Sequence, residues 1–247
     1  MPDMRPGPIQ LARKLGTRLR RRGPGEVARL ALTRLQEAQS SEDRLVMLVR
    51  DTAEAGRAAT GDVGLSFRRA RPQDGAAYAR WIGTDSPASF RARLSERTRC
   101  YLVADGPRLL HASWVTTAGA WTRELRTYLC PPSGDAYLYE SFTRADARGR
   151  GAYPLALEGV RRELSAEGSA RVWVAVEADN PASLKAVGKV GFAPAFEIGY
   201  RRRWGRLRVD EASGDMVGTA TDFVGCGGEP PRRQAPGGPG FFKRSEQ

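Results

Sequence analysis

Tyr153, Leu157, Val160 and Leu164 recur at i, i+4, i+7 and i+11 and therefore share one face of a helix. What stands on either side limits the fold more than the helix itself. The run 137–143 ahead of it reads as a strand, and the turn between them holds Arg148, Gly149, Arg150 and Gly151. Behind it Gly168 supplies a stop, and Arg171–Glu177 is nearly all β-branched or apolar, the mark of a strand covered on both faces. Strand, basic glycine turn, helix and buried strand in succession call for a layered domain of sheet and helices. Glu158 and Arg162 are expected to pair on the outer side of the helix.

The alternation of strands and helices begins near residue 63. Leu65–Arg69 reads as a strand, Pro72 and Asp74 open a helix running through Trp81, and 87–97 makes another. The apolar runs 100–104 and 109–115 are joined by Asp105, Gly106 and Pro107, a turn suited to a hairpin. Downstream, Asn180 caps a helix whose first residue is Pro181, Gly191 ends it before Phe192, and 195–209 forms an arginine-rich hairpin.

The two ends have a different texture. Residues 1–62 read as a basic helical N-terminal extension, with Leu11, Leu15 and Leu19 at helical spacing among Arg13, Lys14 and Arg18. Gly23, Pro24 and Gly25 break it before a second stretch with Val27, Leu30, Ala31 and Leu35 on one side, and 44–50 suits a short strand. Residues 210–247 form a Gly/Pro/Arg-rich tail, expected to be disordered from about 225. That leaves 63–209 as the main domain, and 247 residues suffice for one substantial core with extensions.

The formal charge of +12 suits acidic partners: coenzyme phosphates, RNA, an acidic carrier protein or a membrane surface. Lysine occurs only at 14, 185, 189 and 243, so codon bias toward arginine explains the excess equally well. Three irregularly spaced cysteines and a single histidine speak against a disulfide framework and against a zinc site, and no metal is expected. No run approaches the roughly 20 apolar residues of a membrane-spanning helix, and the charged first segment does not suit a signal peptide. The expectation is a soluble, cytoplasmic protein.

A strand running through a glycine turn into a helix presents unpaired N–H groups and the positive end of the helix dipole to an anion. Residues 143–157 have this arrangement, and Arg148 and Arg150 add charge-assisted donors for phosphate oxygens. An ordinary helix start accounts for the same pattern. The segment 147–157 resembles the acetyl-CoA motif of the GNAT (GCN5-related N-acetyltransferase) superfamily, written R/Q-x-x-G-x-G/A. Arg148 and Gly151 match its first two fixed positions, while Tyr153 stands where a small residue is usual. Asn180-Pro-Ala-Ser183 followed by Lys189-Val-Gly-Phe192 resembles the later N-x-x-S…K-x-G-F block.

The resemblance implies an α/β (α+β) fold with a mixed, mostly antiparallel central sheet flanked by helices, here carrying the N-terminal helical extension. It implies acetyl-CoA as co-substrate, held by Arg148, Gly149, Arg150, Gly151, Ala152 and Tyr153 at the phosphates and by Asn180 and Ser183 beside the pantetheine. Ser141, Phe142 and Thr143 would line the thioester. Tyr153 reads either as helix packing or as a reshaped pantetheine path, and Asn180 equally as a plain cap. Glu140, flanked by Leu138, Tyr139 and Phe142, is expected to be partly desolvated and to serve as the base; pairing with an arginine would make it structural. The tyrosine that many family members place four residues before the Gly-Phe pair is Val187 here, so Tyr139, Tyr153 or Tyr200 would supply the general acid. His111, the only imidazole, reads as a satisfied core or surface residue before it reads as a catalyst.

Acetyl transfer to an unidentified primary amine by direct attack leads. Its acceptor pocket would draw on 72–97, the segment from Trp114 to Trp121 and the last hairpin, with Trp81, Phe90, Trp114 and Trp121 more naturally core residues than substrate contacts. The alternatives are an acyl carrier protein or aminoacyl-tRNA as donor, met by the basic arm and the arginines at 201–203, 206 and 208, or a non-catalytic acyl-CoA-binding module. A dimer is compatible with all three.

Overall fold

The computed structural model describes residues 41–54, 64–203 and 206–224. Two compact units divide the chain, 1–42 with Tyr200–Arg208, and Asp43–Gly199 with 209 onward. The helical stretches expected within 1–40 and the tail from 225 lie outside the described residues.

The larger unit holds all or most of each of the strands β1 (Ser41–Asp51), β2 (Leu65–Arg69), β3 (Thr98–Asp105), β4 (Arg108–Thr116), β7 (Ala136–Thr143), β8 (Arg171–Glu177), β9 (Ala193–Arg203) and β10 (Arg206–Ser213). They form one sheet in the order β10-β9-β1-β8-β7-β4-β3-β2. β7 and β8 run parallel, while β1 with β8, β2 with β3, β3 with β4 and β4 with β7 are antiparallel. Two short strands, β5 (Ala120–Thr122) and β6 (Thr127–Leu129), make a separate hairpin.

Five helices accompany the sheet among the described residues: α1 (Gly75–Trp81), α2 (Pro87–Arg93), α3 (Ala152–Ala166), α4 (Pro181–Lys189) and α5 (Val217–Phe223). α3 lays Leu157, Val160 and Leu164 against Leu138, Val172 and Val174 of the two parallel strands. At Gly159 it approaches so closely that a Cβ would lie 2.6 Å from the Phe67 ring, so glycine is the residue that permits this contact. The other face is covered by α1 and α2, whose Tyr78 and Phe90 pack with Trp114 of β4.

Three expectations need correction. The domain begins near 43 rather than 63, because β1 is a sheet strand paired with β8 from Leu45↔Glu177 to Asp51↔Arg171. Its Leu-Val-Met-Leu run is buried throughout, as a strand covered on both faces requires. The segment after 209 is folded up to 224, since Phe223 of α5 is fully buried against Tyr137, Trp173 and Phe196. Glu158 faces inward and binds Arg161 at 2.8 Å and Arg50 at 2.9 Å, leaving Arg162 exposed. Burial works to raise the Glu158 pKa, but these two guanidinium groups outweigh it and hold the carboxyl below its ordinary value.

Cys130 is disulfide-bonded, which its irregular spacing did not suggest, whereas Cys100 is a free, buried thiol. Among the described residues no helix is long and apolar enough to cross a membrane, and no acidic, His or Cys group is arranged to hold a metal.

Candidate active site

The parallel strands β7 and β8 pair only at Ala136↔Val172, Tyr137↔Trp173 and Leu138↔Val174. Beyond Leu138 no ladder pair joins the two strands. The register of β7 against β4 slips at the same place, from Trp114↔Tyr139 to Ala112↔Phe142. The extra residue is Glu140, held in the left-handed region at φ 46, a conformation that costs a non-glycine residue about 1 kcal/mol or more. This bulge reverses the alternation of the strand. Leu138 faces α3, Tyr139 and Phe142 face α1 and α2, and Ser141 and Thr143 turn back toward the α3 side.

The strand leads through Arg148–Gly151 into α3. Gly149 and Gly151 both have positive φ, 81 and 77, and Gly151 is the N-cap with no side chain bonded to the helix start. The first intrahelical bond runs from Leu155 N to Gly151 O, and Pro154 has no N–H. The N–H groups of Ala152 and Tyr153 are therefore orphans at the positive end of a 15-residue helix. Arg148 is exposed beside them, while Arg150 is paired with Asp105 at 2.8 Å.

On the α1/α2 side Glu140 is not desolvated as expected. Its side chain is 53% exposed and meets Arg93 of α2 at 2.6 Å. Arg93 also binds Asp85 at 2.5 Å and lies 3.9 Å above the Trp114 ring. Its pKa is raised: burial acts to lower it, and the facing Glu140, Tyr139 and Asp85 prevail. The Tyr139 hydroxyl is bonded to Arg93, and burial pushes the phenol above its usual pKa.

On the α3 side the groups are hydroxyls and one imidazole. His111 of β4 is fully buried, with Nδ1 2.7 Å from Thr143 Oγ1 and Nε2 2.7 Å from Ser113 Oγ. Ser113 Oγ is in turn 2.8 Å from Ser141 Oγ, and Ser141 is bonded to the Tyr153 hydroxyl. The Tyr153 ring stacks on His111 with centroids 5.2 Å apart. Burial lowers the imidazole pKa to about 3 and raises the Tyr153 phenol to about 12.

No family model and no curated sequence matches the chain. Its structure is similar to a GCN5-related N-acetyltransferase from Sphaerobacter thermophilus, with a TM-score of 0.52 and 14% identity over 71% of this chain and 56% of that one. The chain has the GNAT fold. Weaker likenesses are to a Drosophila protein, with a TM-score of 0.46 and 14% identity over 74% of this chain and 58% of that one, and to the ribosomal-protein-S18-alanine N-acetyltransferase of Escherichia coli, with a TM-score of 0.42 and 17% identity over 52% of this chain and 77% of that one. This chain thus spans little more than half the length of the Sphaerobacter and Drosophila proteins.

Within the GNAT fold most of the sequence-derived candidates converge. Glu140, Ser141, Phe142 and Thr143 lie on the departing half of β7, and Arg148, Gly149, Gly151, Ala152 and Tyr153 follow at the start of α3. Asn180 and Ser183 stand at the start of α4, where the Asn180 side chain accepts from Ser183 N at 3.1 Å, the plain cap reading. Val187 is fully buried in the core. Trp114 and Phe90 are core residues, and Trp81 is half-buried with the guanidinium groups of Arg80, Arg108 and Arg144 about its ring. Sequence reasoning missed Arg93 and Ser113. Ser113 lies two residues after His111 on the same strand, which puts both on one face; nothing comparable marks Arg93.

Proposed function

We propose that the protein is an N-acetyltransferase that moves an acetyl group from acetyl-CoA to a primary amine by direct attack. The observation that carries this reading is the opening between β7 and β8 leading into an uncapped helix start. Orphan N–H groups at Ala152 and Tyr153 and the exposed Arg148 suit a pyrophosphate. The segment of β7 from Ser141 to Thr143, past its last ladder pair with β8, suits the amide groups of a pantetheine arm and can polarise a thioester carbonyl. Gly149 supplies the close approach of phosphate to backbone, and Ser183 would flank the arm from α4.

The acceptor amine approaches from the side of α1 and α2. Glu140 takes its proton, directly or through one water, and Arg93 and Asp85 fix the direction in which that carboxylate points. Nitrogen then bonds to the acetyl carbon, the C–S bond breaks with its electron pair on sulfur, and coenzyme A leaves as a thiol once protonated. Tyr139, bonded to Arg93, lies on the acceptor side and shapes the pocket there.

The test is enzyme-dependent thiol release from acetyl-CoA across a panel of amines, comparing wild type with Glu140→Gln. Loss of a general base is expected to slow turnover by about 100-fold or more, with coenzyme affinity unchanged. A wild type that binds acetyl-CoA but transfers to no amine would leave a coenzyme-binding module and exclude the transferase.

A further inference from the structure

Arg144 is the first residue after β7, and its guanidinium reaches in two directions. Nη1 donates to the Trp81 carbonyl at 3.1 Å, while Nε and Nη2 donate to the Asp146 carboxylate at 3.0 and 2.9 Å. Trp81 is the last residue of α1, and the final carbonyls of a helix have no donor within it. The guanidinium supplies one and sets a positive charge at the negative end of the helix dipole. Asp146 lies in the turn 145–147 that leads directly into Arg148, and Arg108 of β4 holds the same carboxylate. The backbone of Arg144 is fixed too, with N donating to Leu110 O and O accepting from Ala147 N, both at 3.0 Å.

These bonds close a ring through the acceptor side. From Trp81 the chain runs on to Asp85, which binds Arg93 of α2 at 2.5 Å, and Arg93 binds Glu140 at 2.6 Å. From Glu140 the strand runs on to Arg144, which returns to Trp81. The segment between Trp81 and Asp85 is pinned as well: the Tyr78 hydroxyl is 2.5 Å from Thr84 Oγ1 and accepts from Trp114 Nε1 at 3.1 Å. Glu140, in its left-handed conformation, therefore has a restraint on each side, the ion pair with Arg93 and the anchored end of β7. The turn from Arg148 to Gly151 hangs from the same ring through Asp146.

We propose that Arg144 is a positioning residue: by spanning the end of α1 and Asp146, it holds the phosphate turn in register with Glu140 and couples coenzyme binding to the segment 82–86. The proposal rests on the acyl-transfer reading. A guanidinium suits this task because its planar fork grips a carboxylate with two donors and keeps a further one for the carbonyl. An ammonium is a single point of charge and cannot span both. Charge and geometry therefore make opposite predictions. Asp146 sets a negative charge two residues from Arg148, so on charge alone Asp146→Asn tightens the binding of an anionic coenzyme and Arg144→Lys leaves it unchanged. If the fork is what matters, both variants bind coenzyme more weakly.

Calorimetric titration with coenzyme A reads the first effect. Asp146→Asn, at an exposed position that should not disturb folding, is expected to weaken binding by about two- to fivefold. Arg144→Lys and Arg144→Gln are each expected to weaken it by about tenfold. Hydrogen exchange read by mass spectrometry follows the second effect without any acceptor. Saturating coenzyme A is expected to slow amide exchange across 82–86 in wild type and to leave it unchanged in Arg144→Gln at equal saturation. Tighter binding by Asp146→Asn, an Arg144→Lys variant equal to wild type, or exchange across 82–86 that ignores coenzyme A in wild type overturns the proposal while leaving acyl transfer standing. A well-folded wild type that binds no coenzyme A overturns the acyl-transfer reading, and this proposal with it.

Discussion

The two faces of β7 are built from opposite materials. Toward α1 and α2 the strand meets an aromatic cluster, with Tyr78, Phe90 and Trp114 in mutual ring contact and the Arg93 guanidinium over the indole. Toward α3 it meets hydroxyls and a neutral imidazole. The first face obtains its rigidity from buried area and fixes charges at its rim, where Glu140 and Asp85 flank Arg93. The second obtains its order from directed hydrogen bonds. A single bulge separates them: were Glu140 paired in regular alternation, Phe142 rather than Ser141 and Thr143 would turn toward His111.

If the aromatic face is a packing scaffold, truncation there should be the most damaging change. Phe90→Ala is expected to cost about 3 to 5 kcal/mol in urea unfolding, with coenzyme affinity retained in the folded fraction. A cost near zero would mean that α2 is not held as described. On the polar face, Ser113→Ala leaves the His111 nitrogen without its partner and is expected to cost about 1 to 3 kcal/mol. A neutral result would show that the chain of bonds does not organise this face.

The same imidazole gives the polar face a pH signature that the aromatic face lacks. The folded pKa is depressed to about 3 from an ordinary 6.5, so as pH falls the unfolded chain takes up the proton first. Stability is therefore complete above about 6.5 and declines toward about 3, by at most about 1.4 kcal/mol per pH unit. Unfolding at pH 7 and 5.5 should show this slope in wild type and a flatter one in His111→Gln. Equal slopes would place the histidine in contact with water. The smallest effect belongs to the rim: Glu140→Gln, at a half-exposed ion pair, should change stability by less than about 1 kcal/mol while slowing turnover. A large loss of stability would make that carboxylate structural.

How much of this was visible beforehand follows from the physics of each element. Helix α3 and strand β8 were legible because periodicity and a run of β-branched residues report burial directly. The start of α3 was legible because glycines with positive φ leave a sequence trace. The sheet position of β1 was not, since an apolar run of that length fits a strand in any location, and its partner β8 is more than a hundred residues away. The bulge at Glu140 was also hidden: alternation counted along 137–143 puts Ser141 on the wrong face, because the bulge is set by pairing with β4 and not by local propensity. The Glu140–Arg93 pair joins residues 47 apart, a contact that only the packing of α2 against β7 creates.

The central claim is that the turn from Arg148 to Gly151 and the start of α3 hold the phosphates of a coenzyme. It is tested most directly by calorimetric titration of wild type and Gly151→Asp with acetyl-CoA. Aspartate is a favoured N-cap residue and tolerates the left-handed region, so the variant should fold while placing a negative charge where the pyrophosphate would lie. The account predicts saturable binding by wild type and a loss of at least about tenfold in affinity, about 1.4 kcal/mol, in the variant. Equal binding by both proteins, or none by a well-folded wild type, would contradict it.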